Sequence, residues 1–214
     1  MERTPSARLI ASTLLISMQL TGFIGLQWEA TRSLFLLLTP FHLLATALLV
    51  FAFAPEKNRA FYGYLGLAFT VGLGVEILGV QTGLIFGSYQ YGPTLGVGLL
   101  GVPLQIGVNW AVLTYVTGIV ANQLAVPKLV KALAGAGLLT LLDFFVEPVA
   151  VRYDFWQWQN NLIPVQNYVA WFGVSLGLLL VFYQLNFRKQ NPLALLFYLL
   201  QLLFFAGHWL TAGH

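Results

Sequence analysis

The sequence predicts an all-α integral membrane protein: one domain, residues 1–214, folded as a bundle of seven transmembrane helices. Three observations carry that prediction. Charged residues make up 8% of the chain and hydrophobic ones 58%, with a mean hydropathy of +0.79, whereas soluble domains carry about 25% charge. The apolar residues fall into runs of about 20, the length that crosses a hydrocarbon core as a helix. The basic residues gather on alternate connections, as expected of a chain that threads back and forth with its cytoplasmic loops positive.

The expected spans are Leu9–Leu26, Leu34–Ala54, Ala60–Val80, Leu99–Ala121, Leu129–Val149, Val165–Leu185 and Leu193–Ala212. Arg3 and Arg8 precede the first, which runs to Leu26 without an Ala-x-Ala site and so reads as an uncleaved span rather than a signal peptide. Lys57 and Arg59 lie before the third, Lys128 and Lys131 around the start of the fifth, and Arg188 and Lys189 before the seventh. The opposite side collects Arg32 and Arg152. This asymmetry predicts a cytoplasmic N-terminus and a C-terminus on the far side. No linker or charge run divides the chain.

Composition also narrows the chemistry. The net charge of +3 follows from loop placement and gives no reason to infer a nucleic-acid partner. The absence of cysteine removes disulfides and thiolate chemistry. Three histidines (His42, His208 and His214) are too scattered for a histidine-rich di-iron site, and no His-x-x-x-His spacing supports a metal. All four lysines (57, 128, 131 and 189) sit at the cytoplasmic boundary, which disfavours a retinal-type photoreceptor.

The informative stretch is Leu141 to Pro148, where Asp143 and Glu147 lie four residues apart in an apolar run. On a helix both occupy one face, about one turn apart. Glu76 lies in a second apolar run, 17 residues beyond Arg59, while Glu147 lies 16 beyond Lys131. At about 1.5 Å per residue, both reach a level roughly 25 Å above the cytoplasmic boundary. His42, His208, Gln105, Asn109 and Asn167 fall at similar depths, which points to a pocket near the outer leaflet. Acids inside a membrane are costly and usually functional. In a low dielectric, two close carboxyls resist ionising together, so one tends to keep its proton. A structural hydrogen-bonded pair is the plainer alternative, and it is weakest for Asp143.

Residues 81–100 carry no charge but hold Gln81, Thr82, Ser88, Tyr89, Gln90, Tyr91 and Thr94 among recurrent glycines. We expect this Gly-rich segment to cover the pocket as a lid or re-entrant loop between helices 3 and 4. Trp156, Trp158 and Trp171 fit an aromatic belt at the interface. Trp110 lies halfway down its helix, where an aromatic face can stabilise a cation formed by protonating an alkene. His42 and His208 more often satisfy a helix contact than do chemistry.

Three blocks carry a family resemblance: Glu76 through Gly83, Phe86-Gly87-Ser88-Tyr89-Gln90-Tyr91, and Gly101-Val102-Pro103-Leu104. With Asp143 through Ala150, Trp156-Gln157-Trp158 and Pro164 through Trp171, they resemble the membrane carotenoid biosynthesis proteins, which include carotenoid 1′,2′-hydratases. The likeness runs from about Gly72 to Trp171. It departs from many members at Ile85 and at Ile106 to Trp110, which bears on end-group preference.

The resemblance implies cofactor-free, acid-catalysed addition of water to a terminal double bond of an acyclic carotenoid. The implied partners are a lipophilic carotenoid, water, the bilayer and other carotenoid-pathway enzymes; in a bacterium the location is the cytoplasmic membrane. The residues then suggest roles. Asp143, Glu147 and Glu76 are the catalytic candidates. Trp110, Tyr89 and Phe86 surround the cation, and Asn109, Asn167 or Gln81 position water; Trp171 and His208 are further substrate contacts. A cyclase using the same cation is the nearest alternative, and a carotenoid-binding or proton-coupled transport protein is more distant.

Overall fold

The computed structural model describes residues 4–211; Arg3, His214 and the Ala212 end of the last expected span lie outside them. Seven helices form among the described residues: α1 (Pro5–Gln27), α2 (Glu29–Ala52), α3 (Arg59–Thr82), α4 (Leu104–Ala121), α5 (Lys128–Arg152), α6 (Val165–Gln184) and α7 (Ala194–Leu210). The first six are long and apolar enough to cross a membrane, while α7 is apolar but shorter, at 17 residues. Local chemistry sets several ends. Thr4 caps α1 ahead of Pro5, and Asn58 Oδ1 accepts the Phe61 amide at the start of α3. Gly83, at φ +68°, closes α3 in the left-handed conformation that glycine adopts without steric cost.

Helix α4 is the centre of the bundle and packs against α2, α3, α5, α6 and α7. Apolar residues occupy all its sides, as a helix enclosed by neighbours requires, with Gln105 and Asn109 as polar exceptions near its start; Trp110, Tyr115 and Val116 are fully buried. Outside it, α3 lies on α4, and α5 pairs with α6 and α7.

Two sequence expectations change in detail. The fourth helix begins at Leu104, five residues later than expected, because strands β2 (Gly98–Leu99) and β3 (Val102–Pro103) form a small hairpin first. Leu100 and Gly101 make its two-residue turn with φ of 51° and 85°, the positive values that a tight hairpin demands. The 81–100 segment is also more regular than a loop. Residues Tyr89–Tyr91 form β1, which pairs antiparallel with β4 (Trp156–Trp158) from the α5–α6 connection.

Alternation of the helices sorts the charges. Arg8, Lys57, Arg59, Lys128, Lys131, Arg188 and Lys189 share one end, and Arg32 and Arg152 share the other. The ribbon of β1 and β4 lies at the second end.

Candidate active site

The β1–β4 ribbon sets the geometry. Tyr89 stands opposite Trp158 and Tyr91 opposite Trp156, with Gln90 opposite Gln157 between them. Side chains alternate along a strand, so all four rings share one face and both glutamines take the other. Hydrogen bonds beyond the strands hold this register, from Gln159 N to Ser88 O and from Gly92 N to Phe155 O, each 2.9 Å. A slip of one residue in either strand would turn that strand's two rings away.

The rings aim their donors at two carboxylates. Glu76 Oε2 accepts from the Tyr89 hydroxyl at 2.5 Å and the Tyr91 hydroxyl at 2.8 Å, and its Oε1 accepts from Trp110 Nε1 at 3.1 Å. Glu147 Oε2 accepts from Trp156 Nε1 at 2.9 Å and Trp158 Nε1 at 2.7 Å, and its Oε1 from Asn167 Nδ2 at 2.9 Å. Each glutamate therefore has three donors although both side chains are buried. Burial, then the charge of Glu76, pushes the Tyr89 and Tyr91 hydroxyls well above the ordinary phenol range, so they stay protonated as donors.

Glycine makes this approach possible on α3. A side chain at Gly72 would collide with the Trp110 indole. One at Gly79 would meet the Phe86 ring at 2.7 Å and the Tyr89 hydroxyl at 3.2 Å. The two glycines lie about one turn to either side of Glu76, and their missing side chains let its donors reach it.

Asp143 differs. It lies one turn before Glu147 on α5 and accepts a single hydrogen bond, from Asn167 Nδ2 to Oδ2 at 3.0 Å. Asn167, at the start of α6, thus bridges both acids. All three acids line one cavity enclosed by α2 to α7 and the ribbon. They are spread around its wall, and among the described residues no group of three or more His, Asp or Glu side chains is placed to hold a metal ion.

The remaining wall is aliphatic and aromatic, with a few amides. Phe86 and Trp171 face the cavity, and Trp171 stacks on Trp110 with centroids 4.1 Å apart and planes 10° apart. Asn109 Oδ1 accepts from Gln105 Nε2 at 2.9 Å, which leaves the Asn109 amide nitrogen for the cavity. Gln201 of α7 also lines it, buried and without a hydrogen bond among the described residues.

Among the residues singled out in the sequence, Glu76, Asp143, Glu147, Tyr89, Phe86, Asn109, Asn167 and Trp171 meet at this cavity. Trp110 stands behind Trp171 and reaches the site through Glu76. Two others lie elsewhere. Gln81 is exposed and donates to Leu100 O at the β2–β3 turn (3.1 Å). His208 is enclosed by Phe23, Phe204 and Tyr153, with Nδ1 hydrogen-bonded to Gln27 Nε2 and Tyr153 Oη, each 3.1 Å; it ties α1 to α7.

Tyr91 and Gln201 escaped the sequence reading as site residues. Trp156 and Trp158 are not belt residues, because both are buried with their indole nitrogens on Glu147. Aromatic residues at alternate positions in Tyr-Gln-Tyr and Trp-Gln-Trp were the available signal.

Fold and site together define a multi-pass α-helical membrane protein with an acid-lined apolar cavity. The chain belongs to the carotenoid biosynthesis protein family, whose model matches residues 37–213. It is similar to the bisanhydrobacterioruberin hydratase of Haloarcula japonica, with 33% identity over 107 residues, 46% of this chain and 36% of that protein. The match therefore spans about a third of that relative's length. No solved structure matches the chain.

Proposed function

We propose that the protein is a carotenoid hydratase, adding water across the terminal 1′,2′ double bond of an acyclic end group to give a tertiary alcohol. The observation that carries this reading is the unequal treatment of three acids around one apolar cavity. Glu76 and Glu147 each receive three hydrogen-bond donors, whereas Asp143 receives one, so Asp143 is the acid least committed to accepting and is assigned the transferable proton. The name of the haloarchaeal relative adds support for hydration.

In this reading, Asp143 transfers its proton to C2′, and the alkene electron pair forms the new C–H bond. The tertiary cation at C1′ lies against the faces of Trp171, Phe86 and Tyr89, in the cavity that Glu76 and Glu147 also line. A water held by the Asn109 and Gln201 amides attacks C1′. Its surplus proton returns to the Asp143–Glu147 pair that Asn167 bridges. The sum is alkene plus water to alcohol, with the acids restored. The β1–β4 ribbon acts as the lid, and the charge asymmetry supports a cytoplasmic N-terminus with the site near the outer leaflet.

Expression in a host that accumulates an acyclic carotenoid, in ¹⁸O-labelled water, tests the reading. The product should gain one labelled oxygen as a tertiary alcohol. An unlabelled product of unchanged mass with one more ring would replace hydration by cyclisation.

A further inference from the structure

A second cavity lies between α1, α2 and α7 and shares Leu43, Phe155, Gln201 and Phe205 with the acid cavity. These four side chains are the partition between the two spaces. The second one opens sideways, because Leu38, Phe41 and Ala45 at its mouth are exposed on the apolar flank of the bundle, Phe41 at 67%. Its origin lies in α2, whose buried residues are confined to Thr46, Ala47 and Val50. From Glu29 to Ala45, the stretch that contains Pro40, α2 has no fully buried residue, although Phe35, Leu36 and Leu43 pack against the core from one side. A proline there removes a main-chain hydrogen bond of the helix.

The floor is kept open by Gly22. A Cβ at this position would stand 3.6 Å from the His42 and Phe204 rings, which is ordinary contact, so no close approach demands glycine. Glycine is a poor residue for a helix interior, and its effect here is to leave room. Beside it, Gln19 Oε1 and His42 Nε2 hydrogen-bond at 2.9 Å across the floor.

We propose that this groove is the second half of the substrate site, a lateral passage from the acid cavity to the bilayer that holds a long isoprenoid chain. The inference rests on the reading of the acid cavity given above. With the terminal double bond at Asp143, the chain must leave the cavity. The ribbon closes one side, and the shared wall at Gln201 and Phe205 leads to lipid between α1 and α2. An apolar chain exchanges there between bilayer and protein without crossing water.

The test compares a full-length acyclic carotenoid with a short terpenoid bearing the same terminal trisubstituted alkene. Gly22→Leu and Ala45→Trp fill the floor and mouth; Leu37→Trp, lipid-facing on the same helix and outside the groove, is the control. Gly22→Leu and Ala45→Trp should each lower full-length turnover by about tenfold or more while sparing the short substrate; Gly22→Ala should fall between wild type and leucine. Pigment co-purifying in detergent should fall in the same two variants and not in Leu37→Trp, a readout that needs no turnover. Unchanged full-length turnover and pigment retention, or an equal loss on both substrates, would overturn the passage. A wild-type protein that retains pigment without hydrating either substrate would overturn the hydratase reading and leave the passage standing.

Discussion

The two ends of the bundle use polar side chains for different purposes. At the basic end they donate to main-chain carbonyls of neighbouring segments. Asn58 Nδ2 donates to Asn186 O at 2.9 Å, Asn122 Nδ2 to Lys189 O at 3.0 Å, Asn191 Nδ2 to Val50 O at 2.8 Å, and Lys131 Nζ to Asn122 O at 3.1 Å. Such contacts satisfy carbonyls left over where helices stop. At the other end, four ring donors from a two-stranded ribbon converge on two side-chain carboxylates. Joining helices does not require that arrangement. The difference shows that the acids are held by structure built for them, while the more numerous charges of the basic end serve assembly and placement in the membrane.

The comparison breaks first at the acids. Asp143→Asn, Glu147→Gln and Glu76→Gln should remain inserted, since neutral amides suit the membrane at least as well as acids. At least two of the three should lose about 10²–10⁴-fold in pigment conversion, the range of general acid–base assistance. Normal conversion in all three would make their donor sets a matter of folding alone.

Removing ribbon donors one at a time gives a smaller effect. Tyr91→Phe and Trp156→Phe keep a ring but delete one charge-assisted hydrogen bond, worth about 1.5–3 kcal/mol, so conversion should fall by about 10–100-fold with little change in protein level. Gly72→Ala tests how closely Trp110 must approach Glu76. Overpacking there should cost about 1–3 kcal/mol, read as a lower melting temperature in detergent. The smallest effects belong to Gln81→Ala and, at the basic end, Lys131→Gln. Each should change stability by less than about 1 kcal/mol, as expected for partly solvated polar contacts, and conversion by less than about twofold. A large catalytic loss in Lys131→Gln would erase the distinction between the ends.

Length, apolar runs and alternating basic connections determine the seven helices from sequence alone, because a membrane span must satisfy its own backbone and little else is available to it. The acids were legible for the same reason: a carboxyl in an apolar run stands out, and counting residues along helices gives its depth. What reaches those acids was not legible. Trp156 and Trp158 look like interface residues until β4 pairs with β1, a pairing between connections more than 60 residues apart in sequence that short strands do not announce. Gln201 sits in an apolar helix, and only the packing of α7 against α4 and α5 turns it to the cavity. His208 shows the converse, with a suitable residue type at a suitable depth whose helix face directs it to α1 and Tyr153 instead. Sequence sets which groups enter the membrane and how deep. Their partners depend on helix rotation and on strand register, which only the folded chain decides.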